Sequence, residues 1–210
     1  DSNPDSLTRG AQRIRDYGVP NVSATWYPSR DPVAQRAAVA AAFDNGDVDV
    51  VVIGPSPQIE TARTDPTAIE DDTEYLERAL IDIVNLAGQC ATSIAQQGHG
   101  VITLFTHTPR RVSSDLDHDY CAAMAALHLL APSIAKVASA NGGKTICAAI
   151  DPARDPNATA DPAKRSATMS PLEVASELVP AIVARKKRRD LDVIVLPRSL
   201  RHSTLRIGRR

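Results

Sequence analysis

The feature that most constrains this 210-residue chain is a repeated pairing of short β-branched runs with segments of helical spacing. Val48 to Ile53, Val101 to Thr106, Thr145 to Ile150 and Leu191 to Leu196 are largely continuous runs of apolar or β-branched residues without strict alternation. Runs of that kind suit strands covered on both faces, and strands separated by helices pair in parallel. A shorter run, Val22 to Trp26, reads as one further strand. Helices are expected over 5–18, with Ser6 as cap and Gly18 as stop, and over 32–45, ending at Asn45-Gly46. Three more are expected over 67–97, 119–140 and 171–188, while 151–170, rich in Pro, Asp, Ala and Ser, reads as a loop. The expectation is an α/β fold, a doubly wound parallel sheet with helices on both faces. One domain covers 1–197, and a basic tail covers 198–210.

Composition narrows the function classes. A chain of this length that is 43% hydrophobic can bury a full core in one domain. A formal charge of -1 argues against nucleic acid as the partner of the whole domain. Cys90, Cys121 and Cys147 show no metal-binding spacing and read as small buried hydrophobes in a reducing cytoplasm. No apolar run approaches the roughly 18 residues needed to span a bilayer, and no signal peptide is visible. The chain has no initiator Met, which reads as part of a longer product.

One constellation carries chemistry. The run from Gly100 to Thr108 reads as a strand ending in hydroxyl and imidazole side chains. A loop with Asp115, Asp117 and Asp119 follows, and then Tyr120 opens an Ala-rich helix. A free phenol ionises near pH 10 and needs a neighbouring cation to act as an acid or base at neutral pH. Met124, one turn further on, offers none. His107, with His118 and Asp119, supplies groups able to bind a substrate oxygen or move a proton. The plainer reading is that Tyr120 is a packed aromatic and His107 a satisfied polar group at a strand end. Alternate aspartates in a loop without a shaping glycine do not make a calcium site, so no metal is expected.

The strand–loop–Tyr–helix layout resembles the active-site half of the short-chain dehydrogenase/reductase family, whose fold is Rossmann-like. The resemblance spans nearly the whole chain. It includes the approach Phe43-Asp44-Asn45-Gly46-Asp47-Val48-Asp49-Val50 and the Ile150-Asp151-Pro152-Ala153 turn. Within the family it looks most like the decaprenylphosphoryl-2-keto-ribose reductases. The resemblance implies catalytic roles for Tyr120, with His107 at the family's serine position, and cofactor contacts at Gly54 and Pro152. It also implies a homodimer, or a heterodimer with an intact family member. That contact would run through the helices bearing Ala79, Leu80, Ile83, Leu86 and Ala87, and Ala122, Ala123, Ala126 and Leu127. In the family's strand order 3-2-1-4-5-6-7, these strands are the third to seventh, so the first βαβ segment is absent from this chain.

The departures are internal. Met124 replaces the family lysine, His107 the serine, Gly54-Pro55-Ser56 the Asn-Ala-Gly motif, and Ala153 the glycine of Pro-Gly. The glycine-rich loop that lets backbone approach a pyrophosphate is missing. Gly142-Gly143-Lys144-Thr145 precedes a strand, the wrong order for a P-loop. No cofactor is assured; NAD(P) enters only with a glycine loop upstream of Asp1. Ten Lys or Arg fall between Arg185 and Arg210, with Asp190 and Asp192 the only acids. The tail suits peripheral contact with an anionic membrane surface, on the cytoplasmic side, as well as a solvated end. Two functions follow: a degenerate dehydrogenase-like protein serving as partner subunit or ligand-binding scaffold, or an NAD(P)-dependent short-chain oxidoreductase with an atypical site acting on a keto-sugar or other ketone.

Overall fold

The computed structural model describes residues 4–19, 21–24, 31–54, 80–108, 118–151, 169–183 and 191–196. Its elements are α1 (Pro4–Asp16), α2 (Pro32–Asp44), β1 (Val50–Ile53), α3 (Asp82–Gln97), β2 (Val101–His107), α4 (His118–Ala138), β3 (Lys144–Ile150), α5 (Pro171–Val183) and β4 (Leu191–Leu196). All four strands pair in parallel in the order β1-β2-β3-β4. That is the expected sequence of the fourth to seventh family strands.

Local chemistry sets most helix ends. Asp31 caps α2 by accepting from the amides of Val33 and Ala34 at 3.0 and 2.9 Å, and Pro32 stands where its missing N–H costs nothing. Ser170 and Glu173 form a reciprocal capping box at α5, with contacts of 2.7 and 3.3 Å. Gly98 ends α3 at φ 83° and returns its amide to Ile94 O. Ser6, expected as a cap, lies inside α1, which starts at Pro4. Pro132 lies within α4 without ending it.

The core has two layers. Alternation along each strand aims Ile102, Leu104 and Thr106 of β2, and Thr145, Cys147 and Ala149 of β3, at α3 and α4. Ile94, Ile102, Leu104, Leu127 and Cys147 are almost wholly buried there. On the other face Ile146, Ala148 and Ile150 pack with Met169 and Leu178. Burying one such large side chain is worth about 1.5–3 kcal/mol. By length and composition Tyr120–Asn141 is apolar enough to cross a membrane. This corrects the sequence expectation that no segment reaches that length. Here Ala123, Met124, Leu127, Ala131 and Ala138 of that helix are spent on the protein core instead.

Two strand expectations need correction. Residues 21–24 are not in a strand, while Thr25 and Trp26 lie outside the described residues. β1 is covered on one face only, with Val50 and Val52 exposed at 41% and 58%. The Val101 amide donates to Asp49 O at 2.9 Å. In a parallel ladder this turns the Asp49 and Val51 groups toward β2 and those of Val50 and Val52 outward. Among the described residues nothing pairs with that edge.

A polar knot lies within the main core. Thr106 Oγ1 sits 3.2 Å from His128 Nδ1 and 3.1 Å from Cys147 Sγ, and the sulfur sits 3.4 Å from the same nitrogen. Burial pushes the Cys147 thiol up to about 11, against the pull of the Thr106 hydrogen bond, and burial alone takes Cys90 to about 11. Burial holds His128 below the ordinary imidazole value.

Two predictions follow from this packing. At Gly100 (φ 117°) an added Cβ meets Ile94 Cδ1 and, at 2.9 Å, Val48 O. Gly100→Ala is expected to cost about 2–4 kcal/mol in urea unfolding. Gly88→Ala, in open space on α3, is expected to gain about 0.5–1 kcal/mol. The second concerns pH. His128 is neutral in the fold, whereas the unfolded imidazole protonates near pH 6.5, so its contribution is complete above about 6.5 and is lost as pH falls toward the lower folded value. Unfolding curves from about pH 7.5 to about pH 5 are expected to fall less steeply for His128→Gln than for the parent.

Candidate functional site

The carboxyl ends of the parallel strands lie along one edge of the sheet, the edge where ligands bind in open α/β folds. Gly54 follows β1 there, His107 ends β2, and Asp151 follows β3. The Thr108 amide donates to Ile150 O at 3.0 Å, which fixes how the chain leaves β2. His118, not Tyr120, opens α4, so Tyr120 sits in its first turn.

His107 and Tyr120 come together as expected from the sequence. Their rings meet edge to face, with centroids 5.3 Å apart and planes at 79°. His107 is fully buried and Tyr120 is 2% exposed. Met124, four residues on, lies on the same helix face and is 1% exposed. It packs with Tyr120, Cys121 and Phe105. One turn after the tyrosine, where the family places an ammonium, this chain places an apolar thioether in close packing. Met124 itself brings no charge to the phenol.

The other expected site residues are less informative. Gly54 is exposed, and a Cβ there would only touch Phe105 at 3.5 Å. Pro152, Ala153, Asp115, Asp117, Pro55, Ser56 and the 198–210 tail lie outside the described residues. Among the described residues no group of three or more His, Cys, Asp or Glu side chains gathers as a metal site. No glycine-rich cradle for a dinucleotide stands at the carboxyl edge of the sheet among the described residues. Gly100 and Gly143 lie at the amino ends of β2 and β3, Gly46 precedes β1, and Gly98 and Gly142 end helical turns. All stand at the edge opposite to Gly54.

The Thr106–His128–Cys147 knot escaped the sequence reading. Its signals were present: Thr106 and Cys147 fall on same-face strand positions, and His128 continues the inward Tyr120–Met124 stripe by one more turn. A cysteine in an Ala-rich strand reads as a small hydrophobe, and only the pairing register of β2 with β3 brings it to the histidine.

No family model matches this chain, and no curated protein does. Solved structures do. A short-chain dehydrogenase from Mycobacterium smegmatis superposes with a TM-score of 0.69 at 19% identity, over 93% of this chain and 78% of that one. A metagenomic short-chain oxidoreductase in complex with NADP gives 0.67 at 15% identity, over 93% and 83%. A short-chain dehydrogenase from Rhodopseudomonas palustris gives 0.66 at 16%, over 92% and 82%. The chain has the Rossmann-like fold of the short-chain dehydrogenases/reductases.

Proposed function

We propose that this chain is a degenerate short-chain dehydrogenase-like protein without redox catalysis, serving as a partner subunit or ligand-binding scaffold. The observation that carries the reading is Met124, 1% exposed and packed beside Tyr120. In the resembling enzymes the lysine both holds the nicotinamide ribose and favours the phenolate. A neutral thioether does neither. Lys136 is the basic residue in the last turn of α4, and it stands about 24 Å beyond Tyr120 along the helix axis, out of reach. The competing reading, an NAD(P)-dependent reductase working through His107, draws on the fold likeness to oxidoreductases. The kinship to keto-ribose reductases, the cytoplasmic location and the peripheral membrane contact through the basic tail belong to the same proposal.

The partner surface of this proposal differs from the one read in the sequence. Ile83, Ala87, Ala123 and Leu127 are buried in the chain's own core and are not free for a partner. The stripe left on α4 runs through Ala122, Ala126, Leu129, Ser133 and Val137, with Leu129 71% and Val137 43% exposed. Spacing of three and four residues keeps that stripe on one helix face. A second copy of the chain, or an intact family member, is the partner we place on it.

Two outcomes test these proposals. The protein is expected to reduce no ketone and oxidise no alcohol with NADH or NADPH to within about a thousandfold of an enzyme with the lysine present. The paired change Met124→Lys with His107→Ser should be needed to raise it. Robust turnover by the unaltered protein overturns the reading and leaves His107 to explain it. In light scattering at micromolar concentration the protein is expected as a dimer, and Leu129→Glu with Val137→Glu as a monomer. A stable monomer before substitution counts against the surface.

A further inference from the structure

Helix α5 is apolar on two faces, and the sheet covers only one of them. Val174, Leu178, Ala181 and Ile182 pack with Ile146, Ala148 and Ile150 of β3. Leu172, Val179 and Val183 point the other way and are 79%, 52% and 68% exposed. At 100° per residue these three fall within about 40° of one another, a single row along the helix. Exposed Ala175 and Ser176 lie beside them. Glu173 and Glu177 lie a quarter-turn or more to one side, and Glu173 is engaged in the capping box with Ser170.

Charge near this helix is as uneven as its apolar surface. The seven residues joining Val183 to Leu191 include Arg185, Lys186, Lys187, Arg188 and Arg189, with Asp190 the only acid. From Arg185 onward ten bases stand against two acids, which leaves 14 bases against 23 acids in the rest of the chain. A chain so divided is drawn to a negative surface by one region and repelled from it by the other.

We propose that the outer face of α5 docks on an anionic lipid bilayer. Leu172, Val179 and Val183 enter the boundary between headgroups and acyl chains, and the basic run that follows the helix in the chain meets the headgroups. An aliphatic row joined to a block of cations is the pairing an interfacial helix uses. Nucleic acid would take the cations and leave the aliphatic row in water. A second copy of the chain would cover the row and leave the cations without anions. The inference goes beyond contact through the 198–210 tail, since it places the contact on a helix face. It does not depend on whether the chain performs redox chemistry.

The test is sedimentation of the whole chain with vesicles of equal parts phosphatidylcholine and phosphatidylglycerol, and with pure phosphatidylcholine vesicles beside them. The protein should be retained on the anionic vesicles, released by raised salt, and not retained on the neutral ones. Val179→Glu with Val183→Glu alters only exposed side chains and should weaken binding by about tenfold or more. Lys186→Ala with Lys187→Ala should weaken it by about 30-fold, at about fivefold for each cation. A chain ended after Pro197 should still sediment. No retention on anionic vesicles would overturn the surface, and that reading needs no variant. So would binding that ignores the valine changes, which is the behaviour of a simple polycation, or binding lost entirely with the tail. A smaller assembly in light scattering of the valine variant, without vesicles, would give the face to a second copy and overturn the proposal as well.

Discussion

Parallel pairing of β2 with β3, seven residues in register from Val101↔Lys144 to His107↔Ile150, is the constraint on which the rest depends. A parallel ladder cannot be closed by a hairpin, so each crossover needs a helix, and both faces of the pair must be covered. α3 and α4 cover one face and α5 the other. The same ladder aligns the strand ends, which puts Gly54, His107 and Asp151 along one edge and starts α4 with Tyr120 beside His107. Gly100 and Gly143 stand at the opposite edge, where an added Cβ would strike Ile94 of α3. Removing side chains there lets α3 lie close to the sheet, and that closeness sets the position of the layer containing α4.

In the proposed reading, the geometry of a dehydrogenase site survives on this scaffold more completely than its electrostatics. The strand end, the helix start and the ring contact are in place. What has changed is the chemistry at one helical turn's distance, where a thioether completes an apolar cluster. A phenol activated by charge needs a cation close by and few competing interactions, whereas a phenol packed at 2% exposure beside Met124 is held as part of the core. In that reading fold and function separate, because a fold supports a site without guaranteeing its charges.

Most of the architecture was legible because each element announced itself twice, by pattern and by boundary chemistry. Asn45-Gly46 marks a helix end in the sequence and does so in the structure, where Gly98 and the Ser170–Glu173 box close and cap two further helices. Pro132 did not mislead, since the apolar stripe continues on both sides of it. Val22 to Trp26 did mislead, since a short β-branched run becomes a strand only where a neighbour offers an edge, and residues 21–24 pair with none. The run at 48–53 suggested cover on both faces, but continuous valines do not say whether a packed layer is there to supply it, and Val50 and Val52 are exposed. Ile83, Ala87, Ala123 and Leu127 were read as a partner surface because helical spacing reveals a stripe without revealing which stripe faces the sheet. Tyr120, Met124 and His107 were legible as a set through the resemblance of their spacing to the short-chain dehydrogenase pattern. The Thr106–His128–Cys147 contact was not, since it depends on strand register.

The proposed function rests on Met124 standing where the resembling enzymes place the lysine that holds the nicotinamide ribose. Fluorescence titration of the natural full-length protein with NADPH measures that most directly, because binding is read without any assumed substrate. The account predicts no saturable change in nicotinamide emission, and saturable binding in the low micromolar range would contradict it.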